Sequence, residues 1–155
     1  MDVVLVPQGT LIEQIRCGGA GLGGFLTPTG VGTVVEEGKQ TLTLDGKTWL
    51  HYKPFKVDVA VIHGSQADVV ANISTSEEPA ELDTYAVALA AHNNGGMVIA
   101  QVKSTADQHF VPARKVTVPG VMIDHIVECP AQWQSYLAEY DPAISGQVAP
   151  PDEHP

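Results

Sequence analysis

The chain has 155 residues, 44% apolar and 17% charged, a balance that suits one globular domain and excludes a disordered polymer. A formal net charge of −10, with eight Lys and Arg forming no cluster, argues against nucleic acid as a partner. No apolar run is long enough to span a bilayer, and no basic start precedes an apolar secretory core, so the expected location is cytoplasmic with no membrane partner.

In chain order, "DVVLV" at 2–6 reads as a short strand ended by Pro7. A helix is expected next, N-capped by Thr10, with Leu11, Ile12 and Ile15 on one face and Gly18 and Gly19 stopping it. Residues 16–33, "RCGGAGLGGFLTPTGVGT", hold seven glycines, a density that no core helix or strand tolerates. "TLTLDGKTWLHY" is two strands joined at Asp45 and Gly46, a tight-hairpin dipeptide.

"VDVAVIHG" at 57–64 is a nearly continuous β-branched run, the pattern of a strand buried on both faces in a parallel sheet. Residues 71–74 read as a further short strand. Pro79 fits the first turn of a helix through "AELDTYAVALAAH", with "NNGG" as cap and turn. "MVIAQVK" at 97–103 completes a βαβ unit. "KVTVPG" and "VMIDHIVE" read as strands and "PAQWQSYLAEY" as a short amphipathic helix. The expected fold is α/β: a mostly parallel sheet flanked by helices, with a glycine-rich loop and a β-hairpin insertion. Residues 1–147 form this domain, and the proline-rich, polar 148–155 form a disordered tail.

Several familiar patterns fail on context. Gly19, Gly21 and Gly24 satisfy GxGxxG, but they follow a helix and lead into "FLTPT" instead of joining a strand to a helix. "GKT" at 46–48 echoes a phosphate-binding loop, yet Thr41 stands where its leading glycine belongs. The six histidines show no HxxxH or HExxH spacing, so no metal site is expected. Ser65 lacks the GxSxG elbow of a serine hydrolase. The sequon at 72–74 has no meaning without a secretory route. Cys17 and Cys129 form no CxxC and read as buried thiols instead of a disulfide.

The glycine stretch reads in two ways. One is a long flexible loop. The other is a ligand cradle, because Phe25 is an expensive side chain to leave wet and Thr27, Pro28 and Thr29 stiffen the centre. Glycine lets backbone N–H groups approach a ligand, and threonine hydroxyls with an aromatic wall make a small-molecule pocket.

"VPQGTLIEQIRCGGAGLGGFLTPTGVGTVVEEGK" resembles the first-half (alpha) region of family I coenzyme A transferases of the acetate, propionate and 3-oxoacid type. The resemblance continues through "DGKTWLHYKPFKVDVAVIHGSQAD", "LDTYAVALAAHNNGGMVIAQVK" and "VTVPGVMIDHIVECPAQWQSYLAEYDPAISG", covering nearly the whole chain. It implies transfer of CoA between carboxylic acids through a glutamyl-CoA thioester on an enzyme glutamate, with backbone N–H groups stabilising the oxyanion. CoA would be a substrate, with no separate cofactor; the other ligands would be acyl-CoA and small carboxylic acids. By resemblance Gln8 faces the substrate carboxylate or acyl oxygen, and Gly21, Phe25, Thr27, Thr29 and Gly30 belong to the same pocket. Taken alone, Gln8 reads equally as a turn residue after Pro7.

The match departs from the family pattern in three respects. The family's nucleophilic glutamate lies in the second half, to which nothing here corresponds, so no catalytic residue is assigned to this chain. The early βα unit of the first half also has no counterpart, which reads as a truncated or internal piece. Ala71 replaces a glycine of the family's "ADExGN"-like turn, putting that turn's conformation in doubt. The expectation is a fragment or subunit that needs a second-half (beta-like) partner and is inactive alone. Alternatives are a non-catalytic binding module for small carboxylates or acyl-CoA, and a structural remnant that oligomerises. An uncovered apolar sheet surface predicts self-association, most simply a homo-dimer.

Overall fold

The computed structural model describes residues 3–106, 110–135 and 140–149. Its centre is a parallel pair, β4 (Val59–Ala67) and β6 (Met97–Thr105), joined through helix α2 (Thr84–Asn93) in the expected βαβ unit. Strand β7 (His125–Glu128) adds in parallel beside β6, and the two-residue β5 (Ile73–Ser74) pairs antiparallel with the far end of β4. The order is β5-β4-β6-β7, a mixed and mainly parallel α/β sheet. Helix α1 (Gln8–Gly19) packs against α2.

A second, antiparallel sheet has the order β1-β3-β2, from β1 (Phe25–Thr27), β2 (Gln40–Leu44) and β3 (Lys47–Tyr52). Its hairpin turns at Asp45 and Gly46, whose φ values of 51° and 74° give the doubly left-handed turn that suits the strand twist.

The core sits between the parallel sheet and the helices. Ala60 and Ile62 of β4, Val98, Ala100 and Val102 of β6, Ala88, Ala90 and Ala91 of α2 and Ile15 of α1 are all buried in one cluster. The small residues of α2 let it lie close on the strands. Ser65 at the carboxyl end of β4 donates to Glu78, 3.0 Å away, whose other oxygen lies 2.9 Å from His63 Nδ1. Ser65 Oγ also accepts from the Glu77 N–H at 2.9 Å, so the group braces the loop over β4; the cavity that Glu77 and Glu78 line nearby measures about 10 Å³, close to the least that holds one water.

Several expectations are corrected. Residues 3–6 form no strand, and α1 starts at Gln8 with Pro7 as its N-cap, leaving Thr10 buried inside the helix. Proline fits that boundary because its fixed φ allows helix entry without an amide donor. Helix α2 begins at Thr84, so Pro79 lies in the preceding turn region. "KVTVPG" gives only an isolated bridge between Val118 and Ile73, and 120–122 form a short 3₁₀ turn before β7. Residues 130–135 are not helical; the remainder of the expected helix includes 136–139, outside the described residues, as is 150–155 of the expected tail.

Strand β4 is not buried on both faces. Ala60 and Ile62 pack in the core with the helices and Gly64 is buried against Ile73 and Val102, while Val59 and Val61 are 55% and 72% exposed. The register places Met97 beside Val59 and Ile99 beside Val61 on that open face. Cys17 and Cys129 are both free thiols, the first buried and the second half-buried.

Candidate functional site

Helix α1 has no side-chain cap and no acidic residue in its first turn. Its first intrahelical bond runs from Leu11 N–H to Pro7 C=O at 3.0 Å, so the amides of Gln8, Gly9 and Thr10 have no acceptor within the helix. That end therefore carries partial positive charge.

Two neighbouring clefts open there. One, of about 360 Å³, is lined by Gln8, Gly9, Ile12, Glu13, Leu82 and Asp83. The other, of about 220 Å³, is lined by Pro7, Gly9, Thr10, Glu13, Phe25, Thr27 and Thr29. Gly9 and Glu13 belong to both. The Glu13 carboxylate is engaged by Arg16, with Nη2 and Nε at 2.6 and 2.8 Å, so its charge is compensated beside the clefts.

The glycine-rich segment is tied down locally. Thr29 N–H donates to Thr27 Oγ1 at 3.1 Å, and the Thr33 hydroxyl donates to the Gly30 carbonyl at 2.7 Å. Gly30 has φ 96°, and a Cβ there would strike the Val35 side chain, so it shapes the turn after β1. The Phe25 ring stacks on Tyr52 with centroids 5.7 Å apart.

The fold thus brings Gln8 into one cleft and Phe25, Thr27 and Thr29 into its neighbour. Gly21 is placed elsewhere: it lies beyond the C-terminal end of the 12-residue α1, roughly 18 Å along the helix from Gln8. Sequence reasoning missed Gly9, Glu13, Leu82 and Asp83. The i,i+3 spacing of Glu13 and Arg16 was visible as a helical pair, but Leu82 and Asp83 reach the site only through the packing of α2 on α1. Among the described residues, no group of three or more His, Cys, Asp or Glu is placed to hold a metal, and no helix is long and apolar enough to cross a membrane.

Residues 1–129 match the family model for coenzyme A transferase. The chain belongs to the coenzyme A transferase family. Acetate CoA-transferase subunit alpha of Escherichia coli strain K12 is 54% identical over 127 residues, covering 82% of this CoA-transferase chain and 56% of that protein. The alpha subunit of acetoacetyl-CoA:acetate/butyrate CoA transferase of Clostridium acetobutylicum is 39% identical over 131 residues, covering 84% and 58%. The crystal structure of the acyl-CoA transferase YdiF of E. coli O157:H7, in a thioester complex with CoA, superimposes with a TM-score of 0.88 at 28% identity, over 94% of this chain and 33% of that one. The chain therefore spans little more than half the length of these alpha subunits, and aligns with their region of the family fold.

Proposed function

We propose that this chain supplies the acyl- and carboxylate-binding wall of an acyl-CoA:carboxylate CoA-transferase, and that a second-half subunit brings the nucleophilic glutamate. The observation that carries this reading is the position of Gln8, at the uncapped start of α1 and in a cleft that shares Gly9 and Glu13 with Phe25, Thr27 and Thr29. A carboxamide donates a hydrogen bond to a carbonyl or carboxylate oxygen without adding a cation that would lower an approaching glutamate's pKa. The free amides of the helix start favour the same developing negative charge. Phe25 contributes apolar contact, and Thr27 and Thr29 orientation; Gly30 shapes their loop and Gly21 the exit from α1. CoA enters as substrate.

The open face of the parallel sheet supports self-association as part of the same reading. Val59, Val61 and Met97 are exposed on adjacent strands, and a contiguous apolar surface of this kind is covered by a partner in stable proteins. A homo-dimer is the simplest such assembly.

The test combines the chain with a second-half family subunit and measures CoA exchange between acetyl-CoA and another carboxylate. Gln8→Ala should lower kcat roughly 10²-fold or more while leaving KM much less changed, the range for loss of one oxyanion donor. An unchanged rate ends the assignment of Gln8. Exchange by the isolated chain would overturn the claim that its nucleophile comes from the partner.

A further inference from the structure

The stacked rings of Phe25 and Tyr52 stand between two different cavities. Phe25 lines the cleft beside Gly9, while Tyr52 lines one of about 300 Å³ where α1 meets the ends of β2 and β3. The walls of this second cleft carry Gln14, Lys39, Gln40, His51 and Lys53 around Tyr52. Gln14 Nε2 donates to the Lys53 carbonyl at 2.9 Å, pinning the end of the hairpin to the helix. Gln40 and His51 face each other in the β2–β3 register.

The charge at this place runs against the rest of the chain. Asp and Glu total 18 against six lysines, yet two of those lysines meet here and none of the described lining residues is a carboxylate. Neither Lys39 nor Lys53 has an ion-pair partner among the described residues. The Lys39 ammonium is held 5.3 Å from the centroid of the Tyr52 ring. Glu37 lines the adjoining groove with Lys39 without pairing to it.

Tyr52 adds a second observation. The residue is 2% exposed, and its hydroxyl is buried with no hydrogen-bond partner among the described residues. Burial raises the hydroxyl's pKa, and with its oxygen closed to solvent Tyr52 serves the cleft through its ring, under the Lys39 ammonium. Two unpaired ammonium groups, an imidazole and two carboxamides line the cleft, a set rich in donors and positive charge.

We infer that the cleft between Lys39, His51 and Lys53 is an anion site that takes a phosphoryl group. A phosphate accepts several charge-assisted hydrogen bonds at once and would give both unpaired lysines of the cleft an opposite charge. The phosphate of a free inorganic anion and that of a larger ligand such as CoA share this chemistry. The site rests on the cleft alone and not on the role proposed for Gln8.

Calorimetric titration of the full chain at low ionic strength, with pyrophosphate and separately with CoA, tests it. Pyrophosphate should bind saturably at one site, and Lys39→Met and Lys53→Met should each weaken binding about tenfold. Gln40→Glu places a carboxylate in the cleft at an exposed position and should abolish binding, with thermal unfolding confirming that the variant is folded. Lys56→Met should change nothing, because Lys56 is paired with Asp58 at 3.2 Å outside the cleft. CoA binding that is tighter than pyrophosphate and lost in the same variants supports a CoA phosphate as occupant. CoA binding no tighter than pyrophosphate supports a free phosphate anion. Absence of saturable pyrophosphate binding, or an equal loss in Lys56→Met, overturns the site.

Discussion

The carboxylate of Asp68 closes a turn on Asn72: Oδ1 accepts from the Asn72 backbone N–H at 2.9 Å and Oδ2 from its side-chain amide at 3.0 Å. The same carboxylate accepts from the backbone N–H of Val70 and of Val111, each at 3.0 Å, while Asn72 Oδ1 accepts from Gly120 N–H at 2.9 Å. One buried acid thus joins the end of β4 to two later loops. Burial alone would raise its pKa, but the hydrogen bonds from Asn72, Val111 and Val70 outweigh burial and hold it below the ordinary carboxylate value.

A depressed folded pKa fixes the sign of the pH effect. The stabilisation is fully present above the unfolded value, about pH 4, and is lost as the pH falls through the lower folded value. Asp68→Asn should therefore cost roughly 2–3 kcal/mol at pH 7, since an amide cannot accept from all four donors. In urea unfolding, the gap between wild type and variant should shrink below about pH 4. A gap independent of pH would refute the charged role of Asp68.

Within that turn Ala71 has φ 65°, a left-handed conformation that costs an alanine about 1 kcal/mol or more. Ala71→Gly should relieve it and raise the unfolding midpoint by about 2–4 °C. Differential scanning calorimetry giving a lower midpoint would show that the added flexibility of the unfolded chain dominates.

Gly19 is where α1 lies against α2. A Cβ there would sit 2.9 Å from Ala90 N and 3.0 Å from Ala90 Cα, both backbone atoms, so the helices would have to separate. Gly19→Ala should destabilise by about 1–3 kcal/mol. At Gly23 a Cβ meets nothing within 4 Å, and Gly23→Ala should be neutral or slightly stabilising. Equal denaturation midpoints for the two variants would contradict the packing role of Gly19.

The open sheet face predicts concentration-dependent assembly. Size exclusion with light scattering at micromolar concentration should report a dimer, and Val61→Asp, at a 72% exposed position, should shift it to monomer while retaining the fold. A wild-type monomer at that concentration would remove self-association from the proposed function.

Much of the architecture was legible because its signals are local. Asp45 and Gly46 specify their turn by backbone preference alone, and the apolar run of β6 and the "NNGG" cap of α2 read correctly against the structure. The misreadings arose where local preference was weak. Thr10 has the chemistry of an N-cap, but Pro7 begins the helix and Thr10 is buried within it. "KVTVPG" has strand composition, yet only Val118 finds a partner in Ile73.

By itself the sequence determined the α/β class, the hairpin and the family, because alternation, turn residues and an ordered series of motifs persist along the chain without reference to folding. Only the tertiary structure decided which residues meet. Leu82, just before α2, lines a cleft with Gln8 of α1, Gly21 is carried away from Gln8 by the length of a helix, and Lys39 and Lys53 line one cleft at the end of a hairpin. Burial was settled there too: a β-branched strand looks the same in sequence whether one face or both are covered, and covering depends on what packs against it.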